Sequence, residues 1–218
     1  MTAMHKENEE IRQQDAEEGL RSILCSAMDF EFLRFLYEEH ISCSDCLEGD
    51  RHVVEGVIAS VDIHLLPKRD LRRKQSFRGQ DSIRDHFNST EIIQRHCPTC
   101  ESQQGIRTVK LIGQPDFLLI HFKRFRNASG DHWDKLDNES DPFSTVAIAN
   151  QNDERVTYAP ICSVEHRGGS ATSGHYVCHV FKDDAWYTCN DTTVTPLAPA
   201  DRTPTKAAYL ILLQRRHE

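Results

Sequence analysis

The chain has 218 residues, with 26 Lys and Arg against 34 Asp and Glu and a formal net charge of −8 at pH 7. That length buries a core without disulfide staples, and the acidic balance excludes general nucleic-acid binding, which rests on clustered cations, while suiting a basic protein partner. No segment approaches the roughly 18 consecutive apolar residues of a membrane span, and the opening residues, with Lys6, Glu7, Glu9, Glu10, Arg12, Asp15, Glu17 and Glu18, leave no apolar secretory stretch, so the chain reads as cytoplasmic or nuclear and free of the membrane.

Residues 8–39 lack Pro and, apart from Gly19, lack Gly. Leu20, Ile23, Leu24 and Met28 recur at helical spacing, followed by Phe32, Phe35 and Leu36, which predicts one or two helices with a break near Asp29. Gly19 weakens a helix interior by about 1 kcal/mol. From Ile41 to about Arg107 the pattern changes to short β-prone runs, among them Val53-Val54, Val57-Ile58 and the alternating residues 61–65. The basic stretch with Lys68, Arg69, Arg72, Arg73, Lys74 and Arg78 reads as a solvated loop. Residues 81–87 predict a short helix with Asp81 or Ser82 as N-cap. Beyond Pro115, strands are expected at 117–120, 146–148, 161–164, 175–181, 186–189 and 209–213, with residues 182–185 as a hairpin turn. The polar stretches 127–141 and 150–155 read as loops. The class is α+β, with helices first and antiparallel strands after.

Eight cysteines in a reducing compartment argue for metal ligation or catalysis rather than a disulfide framework. Cys43 with Cys46, and Cys97 with Cys100, form two Cys-x-x-Cys pairs. Each pair aims two thiolates at one ion from a tight turn, and together they supply the four ligands of a closed structural Zn2+ site. The residues between the pairs must then fold as an extended hairpin that brings its two ends together. His96 could compete as a ligand. Cys25, Cys162, Cys178 and Cys189 read as small buried hydrophobes.

His175 begins a β-prone segment after a run holding Gly168, Gly169 and Gly174, and Asn190 ends the next one. The two side chains can meet across neighbouring strands. A Cys-His-Asn enzyme needs that meeting, because the carboxamide oxygen fixes the imidazole tautomer and leaves the other nitrogen to deprotonate a thiol. Asp191 offers a second acceptor, and His166 and His179 are alternative bases.

The ordered set of motifs resembles the ubiquitin-specific proteases, the cysteine deubiquitinases. It comprises residues 13–18 (Gln-Gln-Asp-Ala-Glu-Glu), the two Cys pairs, residues 115–125 ending in Phe-Lys-Arg-Phe, residues 174–177 (Gly-His-Tyr-Val), Trp186, Asn190-Asp191 and the closing residues 208–210. The resemblance implies a papain-like hand. Its parts would be a remnant helical thumb over 8–40, zinc-bearing fingers over 41–112 and a β-rich palm over 113–218. It implies His175 as general base, Asn190 as its orienting partner and Asp191 as an auxiliary polar residue. Cys43, Cys46, Cys97 and Cys100 would hold Zn2+, and Gln13, Asp15 and Glu18 would face the basic tail of ubiquitin or of a ubiquitinated protein.

Two departures carry expectations of their own. The family's nucleophile lies in an Asn-x-Cys-Tyr box ahead of the Gln-Gln-Asp element, and no such box occurs in these 218 residues. Cys25 falls in a helical pattern, and Cys178 points to the strand face opposite His175. The chain is therefore expected to be inactive alone, with an incomplete thumb that a partner chain would cover. Gly19 also stands where the family usually has Phe. A non-catalytic ubiquitin-binding pseudo-enzyme and a zinc-ribbon interaction module remain as alternatives.

Overall fold

Asp15 organises the first helix. Its Oδ1 accepts hydrogen bonds from the amides of Glu17 (2.7 Å) and Glu18 (3.2 Å), capping the N-terminus of α1 (Ala16–Ser26). The computed structural model describes residues 15–26, 30–63, 79–129, 132–170 and 173–217. Gln13 and the basic stretch 68–78 lie outside them. Leu24 on α1 packs with Leu33, Ile58 and Leu119, so the helix is fastened to the sheet behind it by apolar burial.

The helix expected to run on toward residue 39 does not form. A short 3-10 turn, Glu31–Leu33, gives way to strand β1 (Phe35–Cys43). The helical spacing of Phe32, Phe35 and Leu36 is overridden: Phe32 falls in the 3-10 turn and Leu36 is left exposed. Tertiary pairing decides, because β1 is laddered on both sides, to β2 (Gly49–Gly56) and to a later strand spanning Gln104–Ile112. Phe35 is buried in the core while neighbouring Leu36 is exposed, the alternation of a strand.

Strand β3 (Ile58–Asp62) leaves this sheet, and α2 (Gly79–Phe87) follows the undescribed stretch, starting two residues before the expected cap. Strands β4 (Thr90–Gln94) and β5 (Gln104–Ile112) then return to it. The first sheet has the order β2-β1-β5-β4 and is antiparallel throughout. The chain between the Cys pairs is thus no simple hairpin. It crosses to the second sheet, contributes β3 and α2 there, and comes back, and the β1–β5 ladder joins its ends by setting Cys43 opposite Gly105.

The second sheet holds β6 (Phe117–Lys123), β9 (Val146–Ala149), β10 (Arg155–Arg167), β11 (His175–Lys182), β12 (Ala185–Asn190), β13 (Thr193–Pro196) and β14 (Ala208–Arg215). Its order is β13-β12-β11-β10-β14-β6-β3, with β9 also on β10, and only β3–β6 is parallel. Within 127–141, expected as loop, β7 (Phe125–Ser129) pairs with β8 (His132–Lys135). Pro160 sits inside β10 at a bulge against β14, where a residue without an N–H is tolerated. The core lies under this sheet: Val61, Phe87, Leu118, Ile120, Phe122, Ile148, Tyr158, Ala208 and Leu213 are almost wholly buried. Arg124 is buried among them. Its guanidinium donates to the carbonyls of Ala208, Leu136 (3.0 Å) and Asn138 (2.9 Å) and to Ser140 Oγ (3.0 Å), tying the β7–β8 arm to the sheet. Burial lowers its pKa to about 10. Among the described residues, no helix is long and apolar enough to cross a membrane.

Candidate functional site

Two tight turns place the polar pair at one end of the second sheet. Asp183 and Asp184 both adopt positive φ (49° and 59°), the two-residue turn that matches strand twist, so β11 and β12 pair in register from Lys182↔Ala185 to Cys178↔Cys189. Asp191 at φ 51° then turns the chain into β13. The result sets His175 Nε2 2.5 Å from Asn190 Oδ1. A carboxamide oxygen only accepts, so Nε2 carries the proton and Nδ1 is left as the basic nitrogen. Asp191 Oδ2 lies farther away, 3.9 Å from the same Nε2. His175 is about half exposed.

The other candidate histidines are occupied elsewhere. His179 is buried, with Nδ1 3.0 Å from Thr188 Oγ1 and Nε2 3.6 Å from Glu165 Oε1, and Glu165 also accepts from Arg167 at 2.9 Å. His166 forms the floor of the glycine-containing turn. Lys135 Nζ donates to the carbonyls of His166 (2.8 Å) and Gly168 (2.5 Å), and the ring fills the space a Cβ on Gly174 would need, 2.3 Å from Nε2. Gly168, at φ 151°, closes the same neck against Gly174. Glycine is thus required at both Gly168 and Gly174, where the two backbones approach each other ahead of His175. Sequence reasoning singled out these glycines but not Lys135, whose grip depends on the β7–β8 arm.

The four thiols converge at the far end of the first sheet. Their sulfurs all lie within 4.8 Å of one another, with Cys43–Cys100 at 3.4 Å and Cys46–Cys97 at 3.6 Å. A tetrahedral ion with metal–sulfur bonds of about 2.3 Å sets sulfurs about 3.8 Å apart, so the donor set fits a zinc-type ion. Both knuckles share one backbone design. The amides of Cys43 and Cys97 donate to Glu48 and Ser102 (2.7 and 2.8 Å), and those of Leu47 and Glu101 donate back to Cys43 and Cys97 (3.2 and 2.9 Å). Leu47 and Glu101 both take positive φ, 62° and 59°. The amides of Cys46 and Asp45 lower the Cys43 thiol to about 6, and those of Cys100 and Thr99 lower Cys97. The Glu48 amide also favours the Cys46 thiolate, but burial and the surrounding sulfurs outweigh it and push Cys46 up to about 12. His96 Nδ1 instead lies 2.9 Å from Gln103 Nε2, outside the sulfur set.

The sequence profile of the family named Ubiquitin carboxyl-terminal hydrolase matches residues 1–213. The chain belongs to that family. It is 33% identical over 144 residues to ubiquitin carboxyl-terminal hydrolase 12 of Saccharomyces cerevisiae, covering 61% of this chain and 11% of that protein. With ubiquitin carboxyl-terminal hydrolase 15 of Homo sapiens it shares 35% identity over 129 residues, covering 56% and 13%. The chain spans a small part of these curated relatives. Its fold is similar to Ubp8 structures in SAGA DUB modules. In a module of Ubp8, Sgf11, Sus1 and Sgf73 bound to monoubiquitin the TM-score is 0.74 at 21% identity, covering 94% of this chain and 49% of that one. In the module bound to ubiquitin aldehyde it is 0.72 at 20%, covering 94% and 50%. The α+β, sheet-dominated fold of a ubiquitin-specific protease, with the thiols on a separate lobe, is thereby shown.

α1 is locked to the second sheet through Asp15, which accepts from the Tyr209 hydroxyl, while the Ala16 amide donates to Tyr176 Oη at 3.3 Å. Both Asp15 oxygens therefore already serve the chain itself. Glu18 is exposed on the helix.

Proposed function

We propose that this chain supplies the base half of a thiol isopeptidase that acts on ubiquitin-linked amides, together with a structural zinc lobe. The observation that supports it is the 2.5 Å contact from His175 Nε2 to Asn190 Oδ1, because it leaves Nδ1 poised to take a proton from an attacking thiol. Asn190 fixes the ring, and Asp191 stands by as a second acceptor. Cys43, Cys46, Cys97 and Cys100 would hold Zn2+. A closed sulfur shell lends structure and leaves no open position for water.

These residues carry the base without the nucleophile. No Asn-x-Cys-Tyr box occurs in the sequence, and Cys178, on the same strand as His175, turns its sulfur toward Cys162 on the other face. In this reading the chain alone recognises ubiquitin, using exposed Glu18 and, once released from Tyr209, Asp15, and does not cleave it. Loss of the nucleophile in a triad enzyme lowers turnover by on the order of a million-fold, so a fluorogenic amide of the ubiquitin C-terminus should release no fluorophore. Turnover that disappears in His175→Ala would overturn the assignment of a missing thiol. Calorimetry with monoubiquitin should give measurable heat that Glu18→Lys weakens, and no heat at high concentration would remove ubiquitin as the ligand.

A further inference from the structure

Three cysteines outside the zinc set, Cys162, Cys178 and Cys189, line one face of the second sheet, opposite the face that carries His175, His179 and Asn190. The register fixes this: Val164↔Cys178 and Cys178↔Cys189 are cross-strand partners, whereas His175 pairs with Arg167 and His179 with Thr188. All three thiols are partly exposed and none is bonded to another. Within the trio, Cys162 Sγ and Cys178 Sγ stand 3.5 Å apart, hydrogen-bonded thiol to thiol across β10 and β11. The two residues are diagonal neighbours, since Cys162 pairs with Val180 and Cys178 with Val164.

We propose that Cys162 and Cys178 form an oxidisable dithiol that closes to a disulfide behind the His175 strand. The hydrogen bond from the Cys162 thiol lowers Cys178 to about 7, and the same bond, with burial, raises Cys162. Cys178 is therefore the attacking sulfur. Its thiolate displaces an alkoxide or hydroxide from a hydroperoxide, leaving a sulfenic acid on Cys178, and the leaving group takes up a proton to become an alcohol or water. The Cys162 thiol then attacks the sulfenyl sulfur. Hydroxide leaves and picks up the thiol proton as a second molecule, water. Two thiols have been oxidised by two electrons and one hydroperoxide reduced. Two equivalents of a free thiol reverse the step by exchange, the first forming a mixed disulfide and the second releasing it as the reductant's own disulfide. Closure needs the sulfurs to approach by about 1.5 Å, to a bond of about 2.05 Å, and it ties β11 covalently to β10.

Trypsin separates the candidates by sequence: Cys162 falls in residues 156–167, Cys178 in 168–182 and Cys189 in 183–202. The full chain is exposed to hydrogen peroxide, quenched, alkylated in denaturant and digested without reductant. The expected result is near-complete loss of alkylated Cys162 and Cys178 and the appearance of 156–167 joined to 168–182, separating on reduction. Cys189→Ser should retain that link. Cys162→Ser should abolish it and leave a Cys178 sulfenic acid that dimedone traps. Full alkylation of both cysteines after peroxide, or 168–182 joined mainly to 183–202, would overturn the proposal. None of these readouts depends on ubiquitin.

Discussion

The two sheets are held together by different means. The second sheet encloses a continuous apolar core, in which Val61, Leu118, Ile120, Phe122 and Leu213 are essentially lost to solvent. The far end of the first sheet has no such core: β2 and β4 are mostly exposed along their length, with Val53 and Ile92 facing solvent, and the side chains buried at the tip are the small ones of Ser42, Cys43 and Cys97. One lobe is stabilised by area removed from water, and the other, in the zinc reading proposed above, by an ion held among four thiols. A His–Asn pair needs the first kind of support, since 1 Å of drift between strands breaks its hydrogen bond.

The largest test of that contrast is metal removal. Structural zinc sites contribute on the order of 10 kcal/mol. A chelator, or Cys43→Ser, should therefore strip hydrogen-exchange protection from residues 43–49 and 95–106 while leaving 118–122 and 209–213 protected. Loss of protection in both regions together would mean the two lobes are one cooperative unit. Next in size, Phe122→Ala should cost about 3–5 kcal/mol in urea unfolding and leave metal stoichiometry at one ion. Asp15→Ala removes the α1 cap and orphans the Tyr209 hydroxyl, for a loss of about 1–3 kcal/mol, seen as a lower urea midpoint with the thiol lobe unchanged. The smallest effects favour the variant. Gly19 has nothing within 4 Å of a would-be Cβ, so Gly19→Ala should raise stability by about 0.5–1 kcal/mol. Leu47→Gly should relieve the left-handed strain of the first knuckle, where Leu47 sits at φ 62°, by about 1 kcal/mol, read as a higher urea midpoint of the thiol lobe in the metal-loaded chain.

The strands after Pro115 were legible because alternation and turn chemistry agree with the tertiary pairing: residues 182–185 do form the expected hairpin. The segment 35–40 departs from its helical spacing because the strands that pair with it, β2 and β5, are distant in sequence. The β7–β8 arm hid in a polar stretch for a related reason: its anchor is the buried Arg124, and the carbonyls Arg124 reaches are revealed only when the arm has folded back.

The sequence by itself determined the chemical inventory: paired thiols at knuckle spacing, an imidazole and a carboxamide at the ends of adjacent strands, and glycines where the backbone must pass a ring. Such features are local and are written in residue type and spacing. Only the tertiary structure decided that the chain between the thiol pairs visits the other sheet before returning, that Asp15 is already committed to Tyr209, and that Cys162 and Cys178 touch. Each of those depends on which strands become neighbours, and that choice is made by the burial of a shared core, a property no single segment carries.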